Sequence, residues 1–350
     1  MYFKNLIEEI DTKDIVSSEY VNWDFYKNST IMITGATGLI GSQIVTSILY
    51  ANETLGTNIK ILALVRNLNK AKKLFENKLS EKLIFVVQDI IEIIKITEKV
   101  DYIIHTANST SSKSFVETPV ETINSIVFGT KNVLEFAKNS NVKSIVYLSS
   151  MEVYGETDFE RIEPLKENDY GYVDILKPRS SYPEGKRLAE CMCSAYAKEF
   201  GLNVKIARLV QTIGAGVNYD DNRVFAEFAR RIVEKENIIL QTTGESTRSY
   251  CYVTDAITAM FVLLERGEQG ECYNVSNSKT VCSIKKMAEM LCEKYTASKL
   301  EIKINPNNYY SPATKLNVDT KKLNLLNWEA KIDLVTMLEK LIKVFESRNK

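Results

Sequence analysis

From Thr30 onward the apolar residues fall in short β-branched runs: "TIMITG", "IKILALV", "LIFVVQD", "DYIIHTA", "KSIVYLSS" and "VKIARLV". Amphipathic stretches such as "SQIVTSILYANE" and "GTKNVLEFAKNSN" lie between them. Runs with no polar face, alternating with helical periodicity, predict buried strands joined by crossover helices. The fold class expected is therefore α/β, a doubly wound parallel sheet of the Rossmann type. After "ARLVQTIGAG" the alternation becomes irregular, with a helix expected over "VFAEFARRIVEKE", a strand over "IILQTT" and helices over "SIKKMAEMLCEKY" and "LVTMLEKLIKVFES". This pattern gives an N-terminal extension over 1–29 and a dinucleotide-binding domain over 30–210 with a returning segment near 249–276. A smaller, discontinuous substrate domain takes 211–248 and 277–350.

Composition narrows the partners. Lysine plus arginine equals aspartate plus glutamate at 45 each, so no global field draws the chain to nucleic acid or to an anionic membrane. No apolar run approaches the roughly 20 residues of a membrane span, and the chain reads as cytoplasmic. The six cysteines are scattered without a CxxC pair and read as reduced small hydrophobes. His105 is the single histidine, which excludes multi-histidine metal sites; packing at a strand end and cofactor contact are both open to it.

The loop "TGATGLIGS" sets Gly35, Gly38 and Gly41 between a strand and a helix. The first glycine makes a tight turn, the second lets backbone approach a pyrophosphate, and the third lets helix and strand pack closely. At the end of the next strand, where an NAD-binding fold usually carries an acid for the ribose diol, this chain has Arg66 followed by Asn67. A cation there suits the 2′-phosphate of NADP, so the cofactor is NAD or NADP with the latter favoured. Asp89, at the end of "IFVVQD", is placed for the adenine amino group.

"SSYPEGKRLAE" puts Tyr182 and Lys186 one helical turn apart. An ammonium beside a phenol stabilises the phenolate, so Tyr182 is expected to have a lowered pKa and to act as general base on an alcohol. Pro183 suits the first helical position, and Gly185 leaves room for a close ligand.

With "SSMEVYG", "YPEGK", "GESTRSYCYVTDA" and "CYNVSNSKTVCSI" added to the glycine loop, the chain resembles an extended short-chain dehydrogenase/reductase, specifically the nucleotide-sugar epimerase/dehydratase family. "PRSSYPEGKRLAECMCSAYAKEFGLNVKIARL" is most similar to UDP-glucuronate decarboxylases. The resemblance implies a nucleotide-diphosphate sugar as substrate, transient oxidation at its C4 with a recycled cofactor, and a homodimer. It implies catalytic roles for Ser150, Glu152, Tyr182 and Lys186. It adds Leu39, Ile40, Ile90 and Ala107 to the cofactor contacts, and puts Ser150, Met151, Glu152, Arg179, Gln211, Arg223 and Arg248 on the substrate.

The family's 4,6-dehydratases carry an aspartate and a glutamate after the active hydroxyl. Here Glu152 is retained but Met151 replaces the aspartate, and a thioether cannot donate a proton. Dehydration is disfavoured, leaving a nucleotide-sugar decarboxylase or epimerase as the main reading. An NADPH-dependent keto-sugar reductase and a nonenzymatic dinucleotide sensor stand as alternatives. Arg179 is open to two readings, a sugar carboxylate or a structural ion pair.

Overall fold

The computed structural model describes residues 3–108, 112–304 and 313–348. Its strands in chain order are β1 Thr30–Thr34, β2 Lys60–Val65, β3 Leu83–Val87, β4 Tyr102–His105, β5 Ser144–Ser150, β6 Val204–Leu209, β7 Gln211–Ile213, β8 Ile238–Leu240, β9 Thr247–Tyr252, β10 Cys272–Val275, β11 Asn277–Ser283, β12 Leu300–Ile302 and β13 Lys315–Leu316. Seven of them form one parallel sheet in the order β3-β2-β1-β4-β5-β6-β10. Helices cover both faces, which explains why these strands read as unbroken apolar runs. The order reverses between β1 and β4, and at such a point the carboxyl ends of neighbouring strands diverge and leave a crevice.

β9 is the centre of a second, smaller sheet, with β11 antiparallel and β7 and β13 parallel to it. Among the described residues β8 pairs only with β12. The helix Val253–Arg266 leaves β9 and packs against β5 and β6 of the main sheet. Twelve of its residues are buried, so it serves as a core helix for the larger sheet while its predecessor strand belongs to the smaller one.

The extension before β1 is part of the core. Ile7, Ile15, Trp23 and Tyr26 are buried in it, the Trp23 indole donates to the Val16 carbonyl at 2.9 Å, and the Tyr26 hydroxyl donates to the Phe261 carbonyl at 2.6 Å. Asp11, fully buried, accepts from Tyr252 at 2.8 Å and from Lys340 at 2.8 Å. The first helix, Leu6–Val16, is thus fastened both to β9 and to the last helix, Leu334–Arg348.

Two local expectations change. The helix carrying Tyr182 spans Ser181–Phe200 and is preceded by a 3₁₀ turn over Pro178–Ser180, so Pro183 is its third residue; it is still within the first turn, where a missing N–H costs nothing. A Cβ on Gly185 would come within 3.2 Å of Ile126 Cδ1. The glycine therefore admits the neighbouring helix Pro119–Asn139, and no room for a ligand is needed to explain it.

Candidate active site

The glycine loop leaves β1 with Gly35 at φ +66°, a left-handed turn that favours glycine. A Cβ on Gly41 would lie 2.4 Å from the Gly35 carbonyl oxygen, so the helix Leu39–Leu55 approaches the loop as closely as backbone allows. Gly38 caps that helix without a side-chain hydrogen bond, and its first turn has no acidic residue. Its leading N–H groups therefore face outward with a positive helix end behind them, the donor set a pyrophosphate requires. These residues fit a dinucleotide by their own geometry.

Leu39 and Ile40 are half-buried on the first turn of that helix. The Ala107 amide, after β4, donates to Thr34 Oγ1 at 3.1 Å, and the Ala107 Cα fills the space a Gly35 side chain would need. Asp89 is half-buried, accepting the Ile91 amide at 3.2 Å, and Ile90 is buried against Gly129. Arg66 is exposed at the end of β2, and Asn67 caps the next helix by accepting from the Lys70 amide at 2.9 Å. His105 is buried between Thr34, at 2.7 Å from Nδ1, and Thr130, at 3.3 Å from Nε2. Burial, with Lys186 nearby, pushes its pKa down to about 3. Of the two roles open to it, the strand-end packing role is the one its surroundings describe.

Ser150 ends β5 and caps a 3₁₀ turn over Met151–Tyr154, its Oγ accepting the Glu152 amide at 3.2 Å. The same hydroxyl is near enough to the Tyr182 phenol to favour its ionised form. Three contacts tie the Ser181–Phe200 helix, this turn and the sheet together. Lys186 Nζ donates to the Leu148 carbonyl at 2.5 Å, Arg187 Nε donates to the Val153 carbonyl at 2.7 Å, and the Tyr154 hydroxyl donates to Asn274 Oδ1 at 2.6 Å. Below it, Arg208 and Glu190 form a buried pair at 2.6 Å, and Arg208 also donates to the Glu167 carbonyl and the Tyr170 hydroxyl.

The pKa expectation for Tyr182 is corrected by this packing. Burial pushes the phenol up to about 12, opposed by the neighbouring Ser150 hydroxyl. Lys186 is equally buried and is itself pushed down to about 7. Its ammonium is spent on the Leu148 carbonyl and lies over the Tyr147 ring at 4.7 Å, closer than the 5.8 Å to the Tyr182 ring. Desolvation, which penalises either charge, is the largest influence on both groups.

Beside this pair lies a cavity of about 570 Å³ whose wall includes Lys113, Glu152, Arg179, Gln211, Arg223 and Arg248. Arg179 Nη2 is 3.0 Å from Glu152 Oε2, and Arg223 is bound by both oxygens of Asp221. Arg248 has no carboxylate within salt-bridge distance among the described residues. Its Nη1 donates to the Thr247 and Thr314 carbonyls, each at 2.9 Å, and burial lowers its pKa while Glu152 opposes the change.

Five of the residues assigned to the substrate are thus brought into one cavity wall, and Ser150 stands at its edge through Glu152. Met151 does not join them. It is 2% exposed and packed in the main core cluster, because the 3₁₀ turn buries Met151, Val153 and Tyr154 and leaves Glu152 as its one part-exposed residue. Sequence reasoning missed Lys113, Asp221 and Tyr250 in the wall. It also missed Phe115, whose ring stacks on Tyr182 with centroids 4.1 Å apart and planes 14° from parallel. Apart from "DDNR", which sets Asp221 two positions before Arg223, none of these carries a local signal.

A glycine-loop α/β sheet with a serine–tyrosine–lysine set, and a charged cavity reached next to that set by Glu152 and Arg179, is the arrangement of a dinucleotide-dependent enzyme class. Residues 31–276 match the model of the NAD dependent epimerase/dehydratase family, and the chain belongs to that family. It is 32% identical to UDP-glucuronic acid decarboxylase 5 of Arabidopsis thaliana over 88% of this chain and 86% of the relative. It is 28% identical to UDP-glucuronic acid decarboxylase 1 of Danio rerio over 90% of this chain and 72% of the relative. A UDP-N-acetylglucosamine 4-epimerase from Methanobrevibacter ruminantium has the same fold, with TM-score 0.78 and 21% identity over 92% of this chain and 99% of that one. So does a UDP-glucuronic acid 4-epimerase from Bacillus cereus, with TM-score 0.76 and 20% identity over 91% of this chain and 99% of that one.

Proposed function

We propose that the protein is a nucleotide-sugar decarboxylase acting on a nucleoside-diphosphate hexuronate. The observation that carries this reading is the cavity beside Ser150 and Tyr182, whose wall holds Lys113, Arg179, Arg223 and Arg248. These four cations stand against the three carboxylates Glu152, Asp220 and Asp221, and the net positive charge, with Arg248 free of a carboxylate partner among the described residues, suits a ligand with a diphosphate and a carboxylate. The curated relatives that share about a third of its residues are decarboxylases by name, and Met151 deprives the 3₁₀ turn of the acid that dehydration needs.

Gly35, Gly38, Gly41 and the first turn of the following helix would hold the dinucleotide, with Asp89 and Arg66 toward its adenosine half. A bound dinucleotide supplies reversible hydride acceptance, the chemistry that turns the sugar C4 alcohol into a ketone and back. It is the phenolate form of Tyr182 that would take the C4 hydroxyl proton, a form that burial opposes and the neighbouring Ser150 hydroxyl favours. Arg179 and Arg223 each favour the phenolate electrostatically. Lys186 fixes the tyrosine-bearing helix to β5 through Leu148. Once C4 is a ketone, the C5–C6 bond can break with its electron pair entering the enolate, and carbon dioxide leaves. Incubation with a panel of nucleotide hexuronates and hexoses tests this directly. A product lighter by the mass of carbon dioxide is expected from a hexuronate, whereas an isomer of unchanged mass would make the protein an epimerase and overturn the reading.

Arg66, exposed and without an ion pair among the described residues, supports NADP as the cofactor. A homodimer through the helices Pro119–Asn139 and Ser181–Phe200 is part of the same reading. They pack side by side and leave Ile123, Phe128 and Leu188 each more than two-fifths exposed. Light scattering should give twice the 39.8 kDa chain mass; a monomer would remove the dimer from the proposal.

A further inference from the structure

The Arg179–Glu152 pair lies in the wall of the substrate cavity, 3.0 Å between Nη2 and Oε2, yet it is only part-buried. The arginine side chain is 46% exposed and the glutamate 28%. Surface pairs of this kind contribute little to stability, and a structural staple would not need to line a cavity. The pair also adjoins the proposed reacting groups on both sides. The Glu152 amide is bonded to Ser150 Oγ, and the Arg179 guanidinium carbon stands 5.9 Å from the ring of Phe115, which stacks on Tyr182. Arg248 is close enough to feel the charges of both partners.

Resting on the decarboxylase reading, we propose that Arg179 is the residue that selects a hexuronate, and that it does so by ion-pair exchange. The substrate carboxylate takes the guanidinium from Glu152, leaving Glu152 to Arg248 and the sugar hydroxyls. The exchange solves a problem that a permanently free arginine would create. A carboxylate locked in an unopposed bidentate pair is stabilised in the ground state, and that stabilisation is lost as the charge leaves, so it slows the reaction. Competition from Glu152 weakens the hold while keeping the selectivity. The reaction also resets the pair: when the C5–C6 bond breaks, its electrons pass into the C4 enolate, neutral carbon dioxide departs, and Arg179 returns to Glu152. The pentose product has no group to repeat the exchange and binds less well than the substrate.

The test is calorimetric binding of UDP-glucuronate and UDP-glucose to the full chain with its dinucleotide, for the parent, Arg179→Gln, Arg179→Lys and Glu152→Gln. Arg179→Gln should weaken UDP-glucuronate by about tenfold or more while changing UDP-glucose by less than about twofold, as loss of one charge-assisted pair requires. Arg179→Lys should fall between, because it keeps the charge without the fork. Glu152→Gln should bind UDP-glucuronate more tightly and turn it over more slowly. Equal weakening of both sugars by Arg179→Gln, or unchanged or weaker UDP-glucuronate binding in Glu152→Gln, overturns the exchange. A parent that discriminates by Arg179 but releases no carbon dioxide from any hexuronate overturns the proposed function and leaves the exchange standing.

Discussion

Lys186→Met should give a protein that is more stable and inactive. Lys186 is 2% exposed, has no salt bridge among the described residues, and donates to a backbone carbonyl, Leu148. Desolvation lowers its pKa from 10.5 to about 7, with Glu190 and Cys193 opposing. At ~1.4 kcal/mol for each tenfold change in proton affinity, holding the charged amine in this site costs ~5 kcal/mol. Methionine has nearly the same length and no charge, but it leaves the Leu148 carbonyl without its donor, which costs ~1–3 kcal/mol. The net gain is ~2–4 kcal/mol at about pH 6.

The sign with pH follows from proton counting. Between about pH 7 and 10.5 the unfolded chain carries a proton on Lys186 that the folded protein lacks, so parent stability rises with pH in that window. The contribution is fully present above 10.5 and is lost as the pH falls through about 7. The advantage of Lys186→Met is therefore largest below pH 7 and shrinks toward the top of the window. Thermal melts of both proteins across that range measure it, since other titrating groups shift both alike. The expected gap at about pH 6 is roughly 2–8 °C for a chain of this size. A variant melting below the parent at that pH, or a gap that does not change with pH, would refute the assignment of a desolvated amine. Turnover should fall by at least about a hundredfold.

Tyr182→Phe should lose on the order of 10²–10⁴ in rate while keeping dinucleotide affinity, read by kinetics and by titration of the cofactor; unchanged turnover would remove the phenol from the mechanism. Gly41→Val should abolish dinucleotide binding, because its Cβ would stand 2.4 Å from the Gly35 carbonyl and the helix must retreat; tight binding in that variant would mean that the loop does not hold the cofactor. Arg66→Asp should favour NAD over NADP by at least about tenfold relative to the parent, measured as the ratio of the two dissociation constants. An unchanged ratio would mean that Arg66 does not meet a 2′-phosphate.

The glycine loop, the sheet strands and the Tyr182–Lys186 helix were legible because each rests on a local rule. A turn at φ +66° needs Gly35, a strand covered on both faces must be apolar, and two residues four apart share a helix face. The residues of the cavity wall obey no such rule. Lys113 and Tyr250 reach it from segments far apart in the chain, and Phe115 meets Tyr182 across a gap of more than sixty positions. The N-terminal extension was equally opaque. One of its aspartates, Asp11, is an ordinary surface residue in sequence and a buried anchor for Tyr252 and Lys340 in the fold.

The opposite error arose where a local rule was carried into a folded interior. An amine near a phenol lowers its pKa in water. Here both groups are buried, desolvation dominates each, and Tyr182 stands at about 12 while Lys186 falls to about 7. Gly185 and Met151 show the same limit: the glycine answers to a helix neighbour and the methionine to the core. By itself the sequence determined the α/β class, the loop suited to a dinucleotide and the residue types available for proton transfer, because backbone conformation and periodic burial are short-range properties. Only the tertiary structure decided which charges face one another, above all Arg179 and Glu152 in the cavity wall, because electrostatics depends on distance and burial in space and not on separation along the chain.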